Sequence, residues 1–124
     1  MSKGAGAIGI REVRATVVRA VGRVGGLHGA DFSREGMRGE SLAYWRSRFA
    51  GKPPAEVREL AEHGMPPVRV TIFVEHGRRR LTLEDGRHRL EAARAAGATR
   101  VRAEVRIVGE RGGSSTRWTG TLRV

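Results

Sequence analysis

Between Val68 and Ile107 the apolar residues change their spacing twice, and this restricts the fold more than any other feature of the chain. Val68, Val70, Ile72 and Val74 alternate with Arg69, Thr71 and Phe73, the period of two expected of a half-buried strand. Glu75-His76-Gly77-Arg78 then suits a hairpin turn, because Gly77 tolerates positive φ, and Leu81 and Leu83 mark the returning strand over 80–84. From about Arg87 to Ala96 the spacing becomes helical, with Leu90, Ala93 and Ala96 on the inner face and Gly97 as the stop. Val101, Ala103, Val105 and Ile107 return to period two. This order of elements predicts an α/β (α+β) domain, a mixed β-sheet flanked by helices.

The flanking segments extend this frame. Residues 1–9 carry three glycines without apolar periodicity and read as a loose arm. Over 10–21, Val13, Ala15 and Val17 alternate with Arg14, Thr16 and Val18, and the β-branched residues favour a strand. The glycine-rich stretch 22–39 favours turns, a lid or disorder. From Glu40 a helix is expected, capped by Ser41, with Leu42, Trp45 and Phe49 on one face and Gly51 as its end. A second helix starts at Pro53 or Pro54, buries Val57, Leu60 and Ala61, and stops at a left-handed Gly64. Met65-Pro66-Pro67 forces an extended exit. Residues 109–115 read as a loop, and 117–124 as a final strand through Trp118 and Leu122. A chain of 124 residues supports one compact core, so 10–124 is expected to be a single domain.

Composition narrows the function classes. The chain has no cysteine, which excludes a disulfide framework, a thiolate metal site and a catalytic thiol, and fits a cytoplasmic protein. No window approaches the roughly 18 apolar residues of a membrane span, and Met1 to Gly9 lack the apolar core of a signal peptide, so neither membrane insertion nor secretion is expected. The formal net charge of +11 creates a positive field that attracts polyanions, nucleic acid first among them. All but Lys3 and Lys52 of the 24 basic residues are arginine, in a background rich in Ala and Gly. GC-rich coding yields the same bias, so charge permits a nucleic-acid partner without identifying one.

The segment Glu84-Asp85-Gly86-Arg87-His88-Arg89 concentrates the chemistry. Asp85 stands where an N-cap is expected, and Gly86 removes side-chain bulk at the turn. A helix start exposes amides without intrahelical partners and carries about half a positive charge, which suits phosphate. Arg87, His88 and Arg89 add side-chain donors, arginine through a planar fork that grips two oxygens. Gly86, Arg87, His88 and Arg89 are therefore the candidate phosphate or nucleotide ligands. An ordinary capped helix with solvated charges is the competing reading.

The run from Leu83 through Gly97, continuing to Val101 and Val105, resembles the core of the ParB/sulfiredoxin superfamily, in which a strand ends in a glycine-containing box, a helix follows, and a glycine leads to the next strand. The helix from Pro54 to Gly64 and the Pro66-Pro67-Val68-Arg69-Val70 strand resemble what precedes the box in ParB N-terminal domains, so the likeness covers about 53–108. In sulfiredoxins the box is Gly-Cys-His-Arg; His88 and Arg89 match, but Arg87 replaces the cysteine, which excludes sulfiredoxin chemistry. In chromosome-segregation ParB proteins it is Gly-Glu-Arg-Arg and binds CTP phosphates; Gly86 and Arg89 match, and Arg87 and His88 do not. The family's later Asn-rich motif and its helix-turn-helix have no counterpart up to Val124. The resemblance implies the fold and phosphate binding, with ATP or CTP and Mg as candidate cofactors, DNA as partner, and a homodimer among the states it allows.

Relatives described as ParB-like nucleases or small-molecule kinases imply alternatives. For a metal-assisted phosphodiester cut the local candidates are Glu84, Asp85 and His88, with His88 and Glu84 as catalytic residues. Adjacent strand residues face opposite ways, however, so Glu84 and Asp85 do not readily share one ion. A kinase would need a distant acid or base such as Glu12 or Glu40. Arg78, Arg79 and Arg80 beside His76 form a candidate contact for a nucleic-acid backbone, or else a solvated turn. Trp45 and Phe49 are expected in the core, while Tyr44 stays open. His28, His63, His76 and His88 lack metal-ligand spacing, and no metal site is expected.

Overall fold

A computed structural model of the chain describes residues 9–32, 41–109 and 115–124. The arm expected over 1–9, apart from Gly9, and the parts of the expected loops over 33–39 and 110–114 lie outside these residues. The first described element corrects the strand expected over 10–21: Ile10–Arg23 is a helix, α1. Val13, Val17, Ala20 and Val21 are buried at helical spacing, whereas Ala15, which a strand would set beside Val13 and Val17, is exposed. A β-branched residue loses only about half a kcal/mol in a helix, and burying a valine gains on the order of 1.5–3 kcal/mol. The buried stripe therefore decides. Gly25, at φ +80°, ends α1, with the amides of Gly25 and Gly26 donating to the carbonyls of Gly22 and Val21 at 3.1 and 3.0 Å.

Part of the glycine-rich stretch is ordered. Leu27–Gly29 form a 3₁₀ turn and Asp31–Phe32 a two-residue strand, β1. The backbone amide and the ring Nδ1 of His28 both donate to the Val124 carbonyl, each at 2.7 Å, which ties this turn to the far end of the sheet.

Helix α2 (Leu42–Phe49) is capped as its sequence suggests, with Ser41 Oγ accepting from the Tyr44 amide at 3.1 Å. Trp45 and Phe49 are buried, and Gly51 follows at φ +71°. Tyr44 is exposed, sets its ring edge-on to Trp45, and accepts a hydrogen bond from Arg48 at 3.0 Å. Helix α3 (Pro54–Glu59) runs into a π turn over Leu60–Gly64. The left-handed Gly64 expected here is absent from the positive-φ residues. The chain leaves instead through the wider turn, where the Met65 amide donates to the Leu60 carbonyl at 2.9 Å and an extended Met65 drops into the core.

Five longer elements complete the domain: β2 (Val68–Glu75), β3 (Arg78–Asp85), α4 (Arg87–Ala95), β4 (Arg100–Val108) and β5 (Thr116–Arg123). His76 and Gly77, both at positive φ, make the two-residue hairpin between β2 and β3. Gly97 closes α4, with its amide and that of Ala98 donating to Arg94 and Ala93. The sheet order is β1-β3-β2-β4-β5. β1 is parallel to β3 and β2 to β4, whereas β2–β3 and β4–β5 are antiparallel, so the sheet is mixed.

The two faces differ sharply. On the inner face Val68, Val70, Ile72, Leu81, Leu83, Val101, Ala103, Val105 and Leu122 are buried with the apolar stripes of the helices in one core, which makes the chain a single small α+β domain. On the outer face Thr71 is buried, but its neighbours are exposed or half-buried. That face carries Arg69 from β2, Arg78 and Arg80 from β3, Arg100, Arg102 and Arg106 from β4, and Arg117 and Arg123 from β5. Among the described residues no helix is long and apolar enough to cross a membrane.

Candidate functional site

The junction between β3 and α4 turns on Gly86, whose φ of +96° and ψ of 18° are left-handed. Its carbonyl accepts the first helical bond, from the Leu90 amide at 2.8 Å. The N-cap position expected for Asp85 therefore belongs to Gly86. Asp85 remains in β3, in register with Arg69, because the left-handed residue starts the helix only after the strand has ended. A Cβ on Gly86 would lie 2.8 Å from Val68 Cγ1 and 2.9 Å from an Arg89 guanidinium nitrogen. Glycine is thus required both for backbone conformation and for space.

Arg89 is 7% exposed. Its Nη2 donates to the Pro67 carbonyl at 3.0 Å and lies 3.6 Å from Asp85 Oδ2, so the guanidinium clamps α4 to the chain entering β2. Its Nε is buried without a hydrogen-bond partner among the described residues. Burying this charge is tolerable because a carbonyl and a carboxylate meet it, and the cost of separating them holds the junction together.

Arg87 leaves α4 in another direction. Its Nε is 3.0 Å from Glu91 Oε1, and its guanidinium carbon sits 3.6 Å from the centre of the Phe32 ring. Arg87, Glu91 and Arg94 follow one another at spacings of four and three, one stripe along the helix. This stripe walls a cleft of about 540 Å³, closed on its other sides by Arg46 of α2, by Leu27 and His28 of the 3₁₀ turn and Ala30 after it, and by Leu83. Leu27, Leu83 and Leu90 supply apolar surface. Three arginines therefore line the cleft with one carboxylate, Glu91, which is already paired with Arg87. Arg46 and Arg94 are exposed and make no ion pair among the described residues. Such a cleft suits an anion with an apolar body, because arginine forks grip oxyanions while the leucines cover carbon.

The remaining candidates are dispersed. Glu84 lines a shallow depression of about 340 Å³ on the outer face of the sheet, with Arg69, Thr71, Glu104 and Arg117. His88 is half-buried on the first turn of α4, and neither cavity contains it together with Glu84. Glu84 and Asp85 do not share a site, since Asp85 is engaged by Arg89. Arg78 and Arg80 are exposed on the outer face, with Arg80 stacked 5.0 Å from the centre of the Phe73 ring, while Arg79 is half-buried with its Nε enclosed. Glu40, one kinase candidate, lies outside the described residues; Glu12 is exposed on α1.

Arg46 and Arg94 were not evident as site residues from sequence. Arg94 carried a usable signal, seven residues after Arg87 on a helical period. Arg46 carried none, because only the packing of α2 against α4 brings it to the cleft. No family model, curated protein or solved structure matches the chain.

Proposed function

We propose that this domain binds a phosphate-bearing small molecule, a nucleotide, in the cleft between α2, α4 and the 3₁₀ turn. The observation that carries this reading is the convergence of Arg46, Arg87 and Arg94 on one cavity of about 540 Å³ with a single, already paired carboxylate. Small-ligand sites typically span roughly 300–1,000 Å³. The resemblance of 53–108 to the ParB/sulfiredoxin superfamily supports the same reading, since its members hold nucleotide phosphates beside the helix that follows the box. A cytoplasmic setting, where ATP and CTP are abundant, accords with it. The residues present fit the phosphates rather than a metal: a magnesium ion would be carried on the nucleotide's own oxygens and water, because Glu91 is committed to Arg87.

The role of the box is divided in this reading. Gly86 and Arg89 build the junction, and Arg87 contributes to the cleft wall. Calorimetric titration with ATP, CTP, AMP and inorganic phosphate tests it. Charge-assisted hydrogen bonds contribute on the order of 1.5–3 kcal/mol, so Arg94→Ala and Arg46→Ala are each expected to weaken the best ligand at least tenfold. Equal affinity in parent and double variant, or no binding by any of the four, would sink the proposal.

A further inference from the structure

We infer that the outer face of the sheet is a docking surface for the phosphate backbone of a single-stranded nucleic acid. The inference is independent of the cleft, which opens on the helical side. Its centre is the β4–β5 ribbon, where Arg100, Arg102, Arg106, Arg117 and Arg123 share one face, with Glu104 the carboxylate among them. Among the described residues no ion pair engages any of these five arginines. The register sets Arg106 directly opposite Arg117, and Arg100 directly opposite Arg123. Like charges facing each other across a ladder destabilise a sheet. The ribbon carries that cost twice, and a polyanion laid along it would turn both repulsions into attraction.

The face is also prepared for oxyanions. Arg100 is held in place by Thr121, its Nε donating to the hydroxyl at 3.0 Å and its Nη2 to the carbonyl at 2.6 Å. The exposed hydroxyl of Thr119 stands beside Glu104 in register and can donate to a phosphate oxygen. On β2 and β3, Phe73 and the Arg80 guanidinium above it form a flat platform on which a base can stack.

Other partners fit less well. Among the described residues the exposed large apolar side chains are Val18, Val24, Phe32 and Tyr44, none of them on this face, and Phe73 lies half-buried beneath the Arg80 guanidinium, so the described part of the face presents no exposed large apolar side chain to a bilayer. A protein partner would need an apolar anchor at the centre of the contact, where this face has arginine and threonine with Glu84 and Glu104. No described helix covers the face or stands on it to enter a duplex groove, whereas a flexible single strand can follow the twist of the ribbon.

The test uses the full chain and fluorescence anisotropy with a labelled single-stranded oligonucleotide, the duplex of the same sequence, and phosphatidylserine vesicles as competitor. The single strand is expected to bind more tightly than the duplex, with affinity falling steeply as salt rises. In the Arg106→Gln, Arg117→Gln variant affinity should drop at least tenfold at low salt. The slope of log affinity against log salt should become shallower by about 1.4, two phosphate contacts at roughly 0.7 each for a single strand. Arg102→Gln with Arg123→Gln provides a second pair should the first fail to fold. Arg11→Gln with Arg14→Gln, which removes the same charge from the exposed side of α1, should bind nearly as well as the parent. Duplex-only binding, vesicle binding without oligonucleotide binding, or equal losses in the α1 and ribbon variants would each overturn the inference.

Discussion

The junction at Gly86 and the cleft beside it draw on the same helix and the same residue type, yet they treat arginine in opposite ways. At the junction, Arg89 is turned inward, meets Pro67 and Asp85, and leaves Nε enclosed by the protein. In the cleft, Arg46 and Arg94 stand exposed without an ion pair among the described residues. The first arrangement holds backbone segments together and the second leaves charge available to a ligand. Two arginines five positions apart on α4 thus belong to different functions, and their burial separates them.

Replacing Arg89 should have the largest effect. Breaking a fully buried pair costs about 3–5 kcal/mol; Asp85 has a side chain 39% exposed, so water recovers part of this and Arg89→Ala is expected to destabilise by about 2–3 kcal/mol in urea unfolding. A variant with the parent's midpoint and no nucleotide affinity would reverse the division, making Arg89 a ligand rather than a clamp. Gly86→Ala comes next. A left-handed alanine costs about 1–2 kcal/mol, and its methyl would press on Val68, so a loss of about 2 kcal/mol is expected, again without direct contact with the cleft. Glu91→Gln gives the smallest change in stability and the clearest change in binding. Removing a half-exposed i,i+4 pair costs about 0.5 kcal/mol, while the loss of the cleft's carboxylate should raise phosphate affinity severalfold by calorimetry. Weaker binding in this variant would mean that Glu91 positions Arg87 for the ligand.

Much of the architecture was legible from side-chain periodicity. The alternations at Val68–Val74 and Val101–Ile107, the Gly77 turn, the Ser41 cap and the Gly97 stop all correspond to observed elements, because each records a local steric or burial requirement. The amino-terminal helix was not legible as such. Val13, Ala15 and Val17 suit a strand face as well as Val13, Val17, Ala20 and Val21 suit a helical stripe, and the exposure of Ala15 separates the two. β1 was invisible for another reason: two residues have no period of their own, and Asp31–Phe32 form a strand only because β3 is there to pair with.

The box was equally divided. Its position between strand and helix was legible, and so was the need for glycine at 86. The directions of its side chains were not, since Arg89 faces inward to the carbonyl of Pro67, which the fold brings from the chain entering β2, as well as to Asp85 four residues before it. By itself the sequence determined the order of elements and their inward faces, through constraints that act over a few residues. Tertiary structure decided which charges are spent and which are available: Arg46 joins the α4 stripe, and the arginines of β4 and β5 are set in opposing pairs, through contacts between segments distant in the chain.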